Sequence, residues 1–398
     1  MFHLIFATPC LLVIARWLVP LGLPLAAKGA LAVLLLLASQ FHLWNRLSSG
    51  SVFAPEFPRA VVLLLNWAFG AILLLAVLQV ALDLGALAAA LLHRSMVTIP
   101  DGVRFGAAGL AACLAALGVA GAVRVPPVRD VEVAIPGLPP AFEGYRLLQL
   151  TDLHLGRLFP ASWARAVVER ANAAGTDLIV VTGDFIDGSV AMRRDDVAPL
   201  RDLRAPDGVF AIPGNHEYFF DYRAWMRHLA GLGLRMLPNA HAVLARGEAR
   251  LVLAGVTDAS APASGEAGPD LAAALAGAPP GAPILLLDHQ PRAAKRAAAR
   301  GVALQLSGHT HGGMILGLDR LVARGNNGFV SGRYEVEGKP LAGESVQGET
   351  VQGKPPRGMT LYVGNGTGIW PGFALRLGRP SEMTRFTLRA APRADGRS

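Results

Sequence analysis

At 398 residues, 52% of them hydrophobic and only 17% charged, the chain is too long for one small core. It has room for a membrane region beside a domain of more than roughly 250 residues. Its formal charge of +8 is spread evenly: residues 1–125 carry seven basic and three acidic side chains, and the other 273 residues carry 30 and 26. No concentrated basic patch results, so the composition argues against a nucleic-acid partner.

The apolar excess lies near the N-terminus. Residues 60–82 run 23 positions without a formal charge and residues 105–123 run 19, against about 20 needed to cross a bilayer. Residues 29–44 are shorter and include Gln40 and His42, yet are otherwise rich in Leu and Ala. Residues 4–25 are interrupted by Arg16 and punctuated by Pro9, Pro20 and Pro24. Proline is tolerated in membrane helices, and Arg16 either faces the bundle or snorkels. The expectation is an all-α transmembrane bundle of about four helices over residues 1–125, with three spans as the alternative. No A-x-A-like cleavage site follows the first stretch and further spans come after it, which argues against a cleavable signal peptide. With four spans, Arg46, Arg59, Arg124 and Arg129 share one side, against Lys28, Arg94 and Arg104 on the other. That single-residue excess favours cytoplasmic termini, in what is expected to be a multi-pass protein of a bacterial inner membrane with the domain that follows on the cytoplasmic side. Cys10 and Cys113 both fall in expected spans, which suits either redox compartment. His3, His42 and His93 read as interfacial anchors, and Asn66 and Gln79 as helix–helix hydrogen-bonding residues.

A Pro-rich linker, residues 126–144, follows, with alternation at Val131, Val133 and Ile135 that suits an edge strand. Strands and helices then alternate through a domain expected over residues 145–390. Residues 145–150, 177–182, 208–212, 283–287 and 302–306 read as buried strands, and residues 160–174 as a helix. Residues 359–363 and 382–388 suggest a β-rich end, residues 338–358 a mobile Gly-rich loop, and residues 391–398 a disordered tail. Trp163, Trp225 and Trp370 read as core or cleft-wall residues. His228 and His241 read as surface, the basic run from Arg292 to Arg300 as a solvated helix face with anionic lipid or a substrate phosphate as the alternative, and Asp258 as an exposed turn residue with the wall of a substrate cleft as the alternative.

Five motifs each follow a strand: Asp152-Leu153-His154, Gly183-Asp184, Gly214-Asn215-His216-Glu217, His289, and Gly308-His309-Thr310-His311. Five of the ten histidines fall inside them. The donors are oxygen and nitrogen only, which suits Mn, Fe or Zn better than a thiolate-bound structural zinc. In α/β architectures this strand-end edge is where site loops gather. A dinuclear hydrolase needs a bridging ligand, and the carboxylate of Asp184 has two oxygens to reach two ions. Asn215 offers a neutral carbonyl that leaves the second ion acidic. His216, with a pKa near physiological pH, suits protonation of a leaving group. Asp187 and Glu217 either support a ligand or cap a helix, and Asp288 either orients a ligand or is an N-cap.

These residues resemble the calcineurin-like metallophosphoesterases. The family pattern D-x-H, G-D-x-x-D, G-N-H-E, an isolated His and G-H-x-H is matched by Asp152/His154, GDFID from Gly183, GNHE from Gly214, His289, and GHTH from Gly308. No ligand is missing, and the likeness covers residues 145–388. The ending GNGTGIWPGFALRLGRPSEMT looks like that of the membrane-linked, YkuE-like branch. Asp288 departs from the small or apolar residue usual before the isolated His. The resemblance implies a four-layer α/β/β/α sandwich and two divalent ions, manganese first. Asp152, His154, Asp184 and His311 would hold one ion. Asp184, Asn215, His289 and His309 would hold the other. His216, beside Asn215, would act as the catalytic acid.

The expected function is therefore a membrane-bound phosphoesterase in which metal-activated hydroxide attacks a phosphodiester or pyrophosphate. Anchoring beside the bilayer favours a lipid-linked substrate; by analogy with relatives, UDP-2,3-diacylglucosamine in lipid A synthesis is the specific expectation. A phosphodiesterase acting on a soluble nucleotide or cell-wall polymer is the enzymatic alternative. A metal-binding, non-catalytic membrane scaffold is the alternative of another class. The oligomeric state is left open by the sequence.

Overall fold

The computed structural model describes residues 2–338 and 358–391, with side chains from residue 7. The expected mobile loop at 338–358, apart from its two ends, and residues 392–398 of the expected tail lie outside the described residues. The chain divides into two compact units. One comprises Met1–Arg124 together with Trp370–Leu377, the other Val125–Ile369 with Gly378–Ser398.

In the helical unit, helices span Phe2–Leu12 (continued by a π-helical turn, Val13–Leu18), Leu25–Ser39, Phe41–Ser49, Arg59–His93 and Asp101–Val123. Two of them, Arg59–His93 and Asp101–Val123, are long and apolar enough to cross a membrane. The pair Leu25–Ser39 and Phe41–Ser49, bent by 54°, makes a third if it counts as one broken span. The described residues thus contain two or three candidate spans. The first apolar stretch ends as helix at Leu18, two residues before Pro20, and at about 1.5 Å per residue its helix falls short of a hydrocarbon core of about 30 Å.

Several polar side chains in this unit are paired. Arg16 and Asp83 form an ion pair at 3.0 Å, and Gln79 donates to Asp83 at 2.9 Å. The Trp17 indole donates to the Arg104 carbonyl at 2.8 Å. Asn66 joins helix to loop: its amide donates to the carbonyls of Val62 and Pro371, each at 3.0 Å, and its oxygen accepts from the Ala374 N–H at 2.8 Å. Leu375 packs over Gly70 and Gly118, where a Cβ on Gly118 would come within 2.8 Å of it.

Two expectations fail here. His42 is no interfacial anchor but is buried, its ring 5.2 Å from Phe69 and 5.8 Å from Trp370. Trp370 is not in the globular core: with Phe373 it packs against the aromatic residues of the helical unit.

The second unit is an α/β sandwich of two six-stranded sheets. Its strands are β1 (Val128–Ile135), β2 (Arg146–Leu150), β3 (Leu178–Thr182), β4 (Val209–Ile212), β5 (Arg235–Met236), β6 (Ala240–Arg246), β7 (Ala249–Gly255), β8 (Ile284–Leu287), β9 (Leu304–Ser307), β10 (Gly332–Val336), β11 (Met359–Val363) and β12 (Met383–Ala390). One sheet runs β1-β12-β2-β3-β4-β5, the other β10-β11-β9-β8-β7-β6. The edge strand β1 pairs with β12 in parallel, and β2, β3 and β4 are mutually parallel, as are β7, β8, β9 and β11.

Strand periodicity sends Leu147, Leu178, Val180, Phe210 and Ile212 of one sheet into a shared core. Leu251, Leu253, Leu285, Leu287, Leu304 and Leu306 of the other sheet meet them there. The alternate residues Leu148, Leu150, Ile179 and Val181 are also fully buried. That two-sided burial explains why these strands read as continuous apolar runs. On the far face of the second sheet, Leu286, Leu361 and Val363 pack with Ala274, Ala294, Ala297 and Ala298 of short helices. Both parallel sets deliver their carboxyl ends to the polar motifs.

Replacing Asn66 with Leu keeps the volume but leaves the buried Pro371 carbonyl and Ala374 N–H unpaired, each costing about 1–3 kcal/mol. The Asn66→Leu full-length protein is expected to melt at a lower temperature in detergent and to be cut by protease within residues 370–377. An unchanged melting temperature and protease pattern would refute the role given to Asn66.

Candidate metal centre

The loops after the strands hold an unusual backbone. Asp152 (φ 53°), His154 (47°), Asp184 (54°), His309 (69°) and His311 (50°) all lie in the left-handed region. That conformation costs an L-residue about 1–2 kcal/mol. These five are half of the non-glycine residues with positive φ among the described residues, so the strain is concentrated in one place. Such clustering marks sites whose side-chain directions matter more than local comfort. Two glycines allow the loops to close on one another. A Cβ on Gly183 would lie 2.5 Å from the Gly214 nitrogen, and one on Gly308 would lie 2.0 Å from the Thr151 hydroxyl.

All seven sequence-derived ligands converge. Ligand atoms of Asp152, His154 and His311 lie within 4.8 Å of one another, as do those of Asp184, His289 and His309. His154, Asp184 and His216 form a third such group, so Asp184 belongs to two of the three. The Asn215 side-chain oxygen lies 3.1 Å from His289 Nε2 and 2.9 Å from His309 Nδ1. Every member except His309 is buried.

The protonation pattern tests whether this donor set suits cations. His289 Nδ1 is 2.7 Å from the Thr182 carbonyl, which can only accept, so that nitrogen carries a proton. The neutral ring then aims its Nε2 lone pair at Asp184 Oδ2, 3.2 Å away, and at the Asn215 oxygen. His154 repeats the arrangement. Its Nδ1 faces Asp187 Oδ2 at 3.1 Å, while its Nε2 meets His311 Nε2 at 3.3 Å. Acceptor facing acceptor in a buried site needs a cation or extra protons between them. The oxygen and nitrogen donors fit a divalent cation, and both cysteines lie in the other unit.

The electrostatics agree. Burial pushes the Asp184 carboxyl up, but the facing His289, His216 and His154 rings outweigh it and hold it well below the usual carboxylate range. Burial opposes charge on His216, yet Asp184 and Asp187 raise its pKa to about 9. Burial and the neighbouring Asp184 push Glu217 up to about 8.

The two residues left ambiguous by sequence have distinct places. Asp187 lies between two rings, 3.1 Å from His154 Nδ1 and 2.5 Å from His216 Nδ1, fixing both. Glu217 accepts from the N–H groups of Asp184 (3.0 Å), Phe185 (2.8 Å) and Gly214 (2.6 Å), tying two motifs together. Asp288 is buried with its pKa pushed up to about 7, by burial first and Asp258 second. Asp258 itself is no exposed turn residue. It is fully buried and accepts from the Gln290 amide and from Ser260.

Sequence reasoning missed other supports. The Thr151 hydroxyl donates to Asp152 Oδ2 at 2.8 Å, the N–H of Gly368 donates to the Asp152 carbonyl at 3.0 Å, and the buried Arg193 donates to the Asp187 carbonyl at 2.7 Å. Arg193 sits in a polar helix, Val190–Val197, whose pattern carries no signal of this.

A model of the calcineurin-like phosphoesterase family matches residues 145–313, which contain every converging residue above. The chain is 33% identical over 293 residues to a transmembrane protein with metallophosphoesterase domain from Danio rerio, across 71% of this chain and 62% of that protein. The protein of the same description from Bos taurus is 35% identical over 291 residues, across 70% and 61%. The uncharacterized metallophosphoesterase YkuE of Bacillus subtilis is 31% identical over 182 residues, across 45% and 62%. The chain thus spans less than two thirds of each relative's length. Residues 145–313 thus carry the sequence signature of a calcineurin-like phosphoesterase domain.

Proposed function

We propose that this protein is a membrane-bound, metal-dependent phosphoester hydrolase working with two divalent ions. The observation that carries the reading is the buried convergence of acceptor atoms from Asp152, His154, Asp184, Asn215, His289, His309 and His311. Asp152, His154, Asp184 and His311 would hold one ion and Asp184, Asn215, His289 and His309 the other, with Asp184 common to both sets. Manganese is the first choice for such oxygen and nitrogen donors. When bound, the ions supply Lewis acidity to the phosphoryl oxygens and to the attacking water.

The protein's own residues do the rest. Asp187 and Asp184 keep His216 positively charged, so its ring has a proton to give to the departing oxygen. Glu217 fixes the loops of Asp184 and Asn215 so that their side chains are aimed before substrate arrives. Candidate spans in the helical unit, and relatives described as transmembrane proteins, support membrane attachment. Attachment favours a lipid-linked phosphodiester or pyrophosphate, of which UDP-2,3-diacylglucosamine is one example. We further propose a multi-pass protein of a bacterial inner membrane, with three spans, the bent pair counting as one, and a domain on the cytoplasmic side.

Full-length protein loaded with manganese should hydrolyse bis-p-nitrophenyl phosphate, and Asp184→Asn should lose both turnover and bound metal. His216→Ala should keep its metal while its kcat falls by about 10²–10⁴-fold, the usual contribution of a general acid. A His216→Ala variant as fast as wild type would contradict the role given to that ring.

Metal removal gives a second check. Chelation should lower the thermal midpoint of the domain, and manganese at a hundred times its Kd should restore about 2.7 kcal/mol of stability. A midpoint indifferent to chelator and metal alike would count against a metal centre.

A further inference from the structure

Directly after the last metal motif, the chain turns from buried to exposed. His311, Gly312 and Gly313 are buried, whereas Leu316 is 68% exposed and Leu321 58% exposed. Among the described residues of the second unit, these are the two most exposed large apolar side chains, and they lie five positions apart. Arg320 and Arg324 are also exposed, one turn apart on the Asp319–Gly325 helix. The acidic residue of that helix is neutralised: Asp319 is buried and paired with Arg379. What the segment presents outward is therefore leucine and arginine.

Its anchorage points to the partner. Ile315 bridges to Gly378, and a Cβ on Gly378 would lie 3.2 Å from that of Leu316. Gly378 and Arg379 immediately follow Leu377, the last residue of the Trp370–Leu377 segment that belongs to the helical unit. The exposed segment is thus held by Gly378 and Arg379, the two residues that directly follow Leu377 in the chain.

We infer that residues 314–324 form a lipid-facing lip, with Leu316 and Leu321 seated at the acyl boundary and Arg320 and Arg324 on anionic headgroup phosphates. Leucine–arginine surfaces of this kind suit the interface of an anionic bilayer, where apolar side chains enter and cations meet lipid charge. The lip begins three residues after His311, so it sets a bilayer edge beside the metal motif and favours a phosphoester carried on a lipid. The inference rests on the reading of the helical unit as membrane-embedded and not on hydrolysis.

The test uses the full chain in nanodiscs of phosphatidylcholine and phosphatidylglycerol, with Cys10 and Cys113 replaced by serine. An environment-sensitive fluorophore is placed at Leu316→Cys or Leu321→Cys, and doxyl-labelled lipid is the quencher. Leu64→Cys, on an exposed face of the Arg59–His93 helix, is the membrane control, and the exposed Ala263→Cys is the solvent control. Blue-shifted emission at both lip positions, quenched as at Leu64→Cys and weakened by Arg320→Glu with Arg324→Glu, is the expected result. Solvent-like, unquenched emission beside a quenched membrane control overturns the inference. So does a blue shift that ignores doxyl lipid and grows with protein concentration, which would mean a second copy covers the lip. An unquenched Leu64→Cys would instead overturn the membrane reading on which the inference depends.

Discussion

The structure of the second unit turns on one juxtaposition: lone pairs buried against lone pairs. The Thr182 carbonyl accepts a hydrogen bond from His289 Nδ1, so whenever that ring is neutral its Nε2 confronts Asp184 and Asn215 with nothing to donate. His154 and His311 repeat the arrangement across the site. Isolated buried acceptors are among the most expensive features a protein can hold, and five left-handed residues add backbone strain of about 1–2 kcal/mol each. A cation between the facing atoms turns the same geometry from repulsive to attractive, because each lone pair becomes a bond. In its absence protons take that place, in keeping with the raised pKa of His289, where Asp184 outweighs the burial that opposes charge.

Around that core the fold acts as scaffolding. Parallel strands of both sheets end at one edge, and small residues there let the loops interlock. Glu217 ties Gly183-Asp184 to Gly214-Asn215 through three backbone N–H groups, while Asp187 fixes two imidazoles at once. Neither residue offers a free face for a metal, yet both set where the donors point. A change at either position would move several ligands together, so their effects will not add simply.

The residues that converge were legible in the sequence because each lies in a short polar motif punctuating an apolar run, a contrast that survives without coordinates. Strands β2, β3, β4, β8 and β9 were legible for the same reason, as runs of buried residues, whereas β5, β6, β7 and β10 went unread. Asp187 and Glu217 stayed ambiguous because an acid near a helix start serves equally well as cap or support; only the distances separate the roles. Asp258 was read as an exposed turn because Thr and Ser neighbours imitate one, whereas Gln290, far along the chain, is what donates to it. The eight residues Trp370–Leu377 are too short for any hydropathy window and contain Pro and Gly, so nothing announced that they pack with His42, Phe69 and Asn66. Arg193 was invisible because nothing in its short helix sets it apart from Arg194 beside it, and its burial comes from what surrounds the helix, not from its own pattern.

The central proposal is that Asp184 would be shared by two divalent ions. Electron paramagnetic resonance of the manganese-loaded full-length protein tests this most directly, because two bridged Mn(II) ions couple magnetically and isolated ones do not. The account predicts a coupled multiline spectrum that collapses to the pattern of isolated ions in Asp184→Asn, or is lost with the metal. A wild-type protein giving only the six-line signal of isolated manganese at full loading would contradict it.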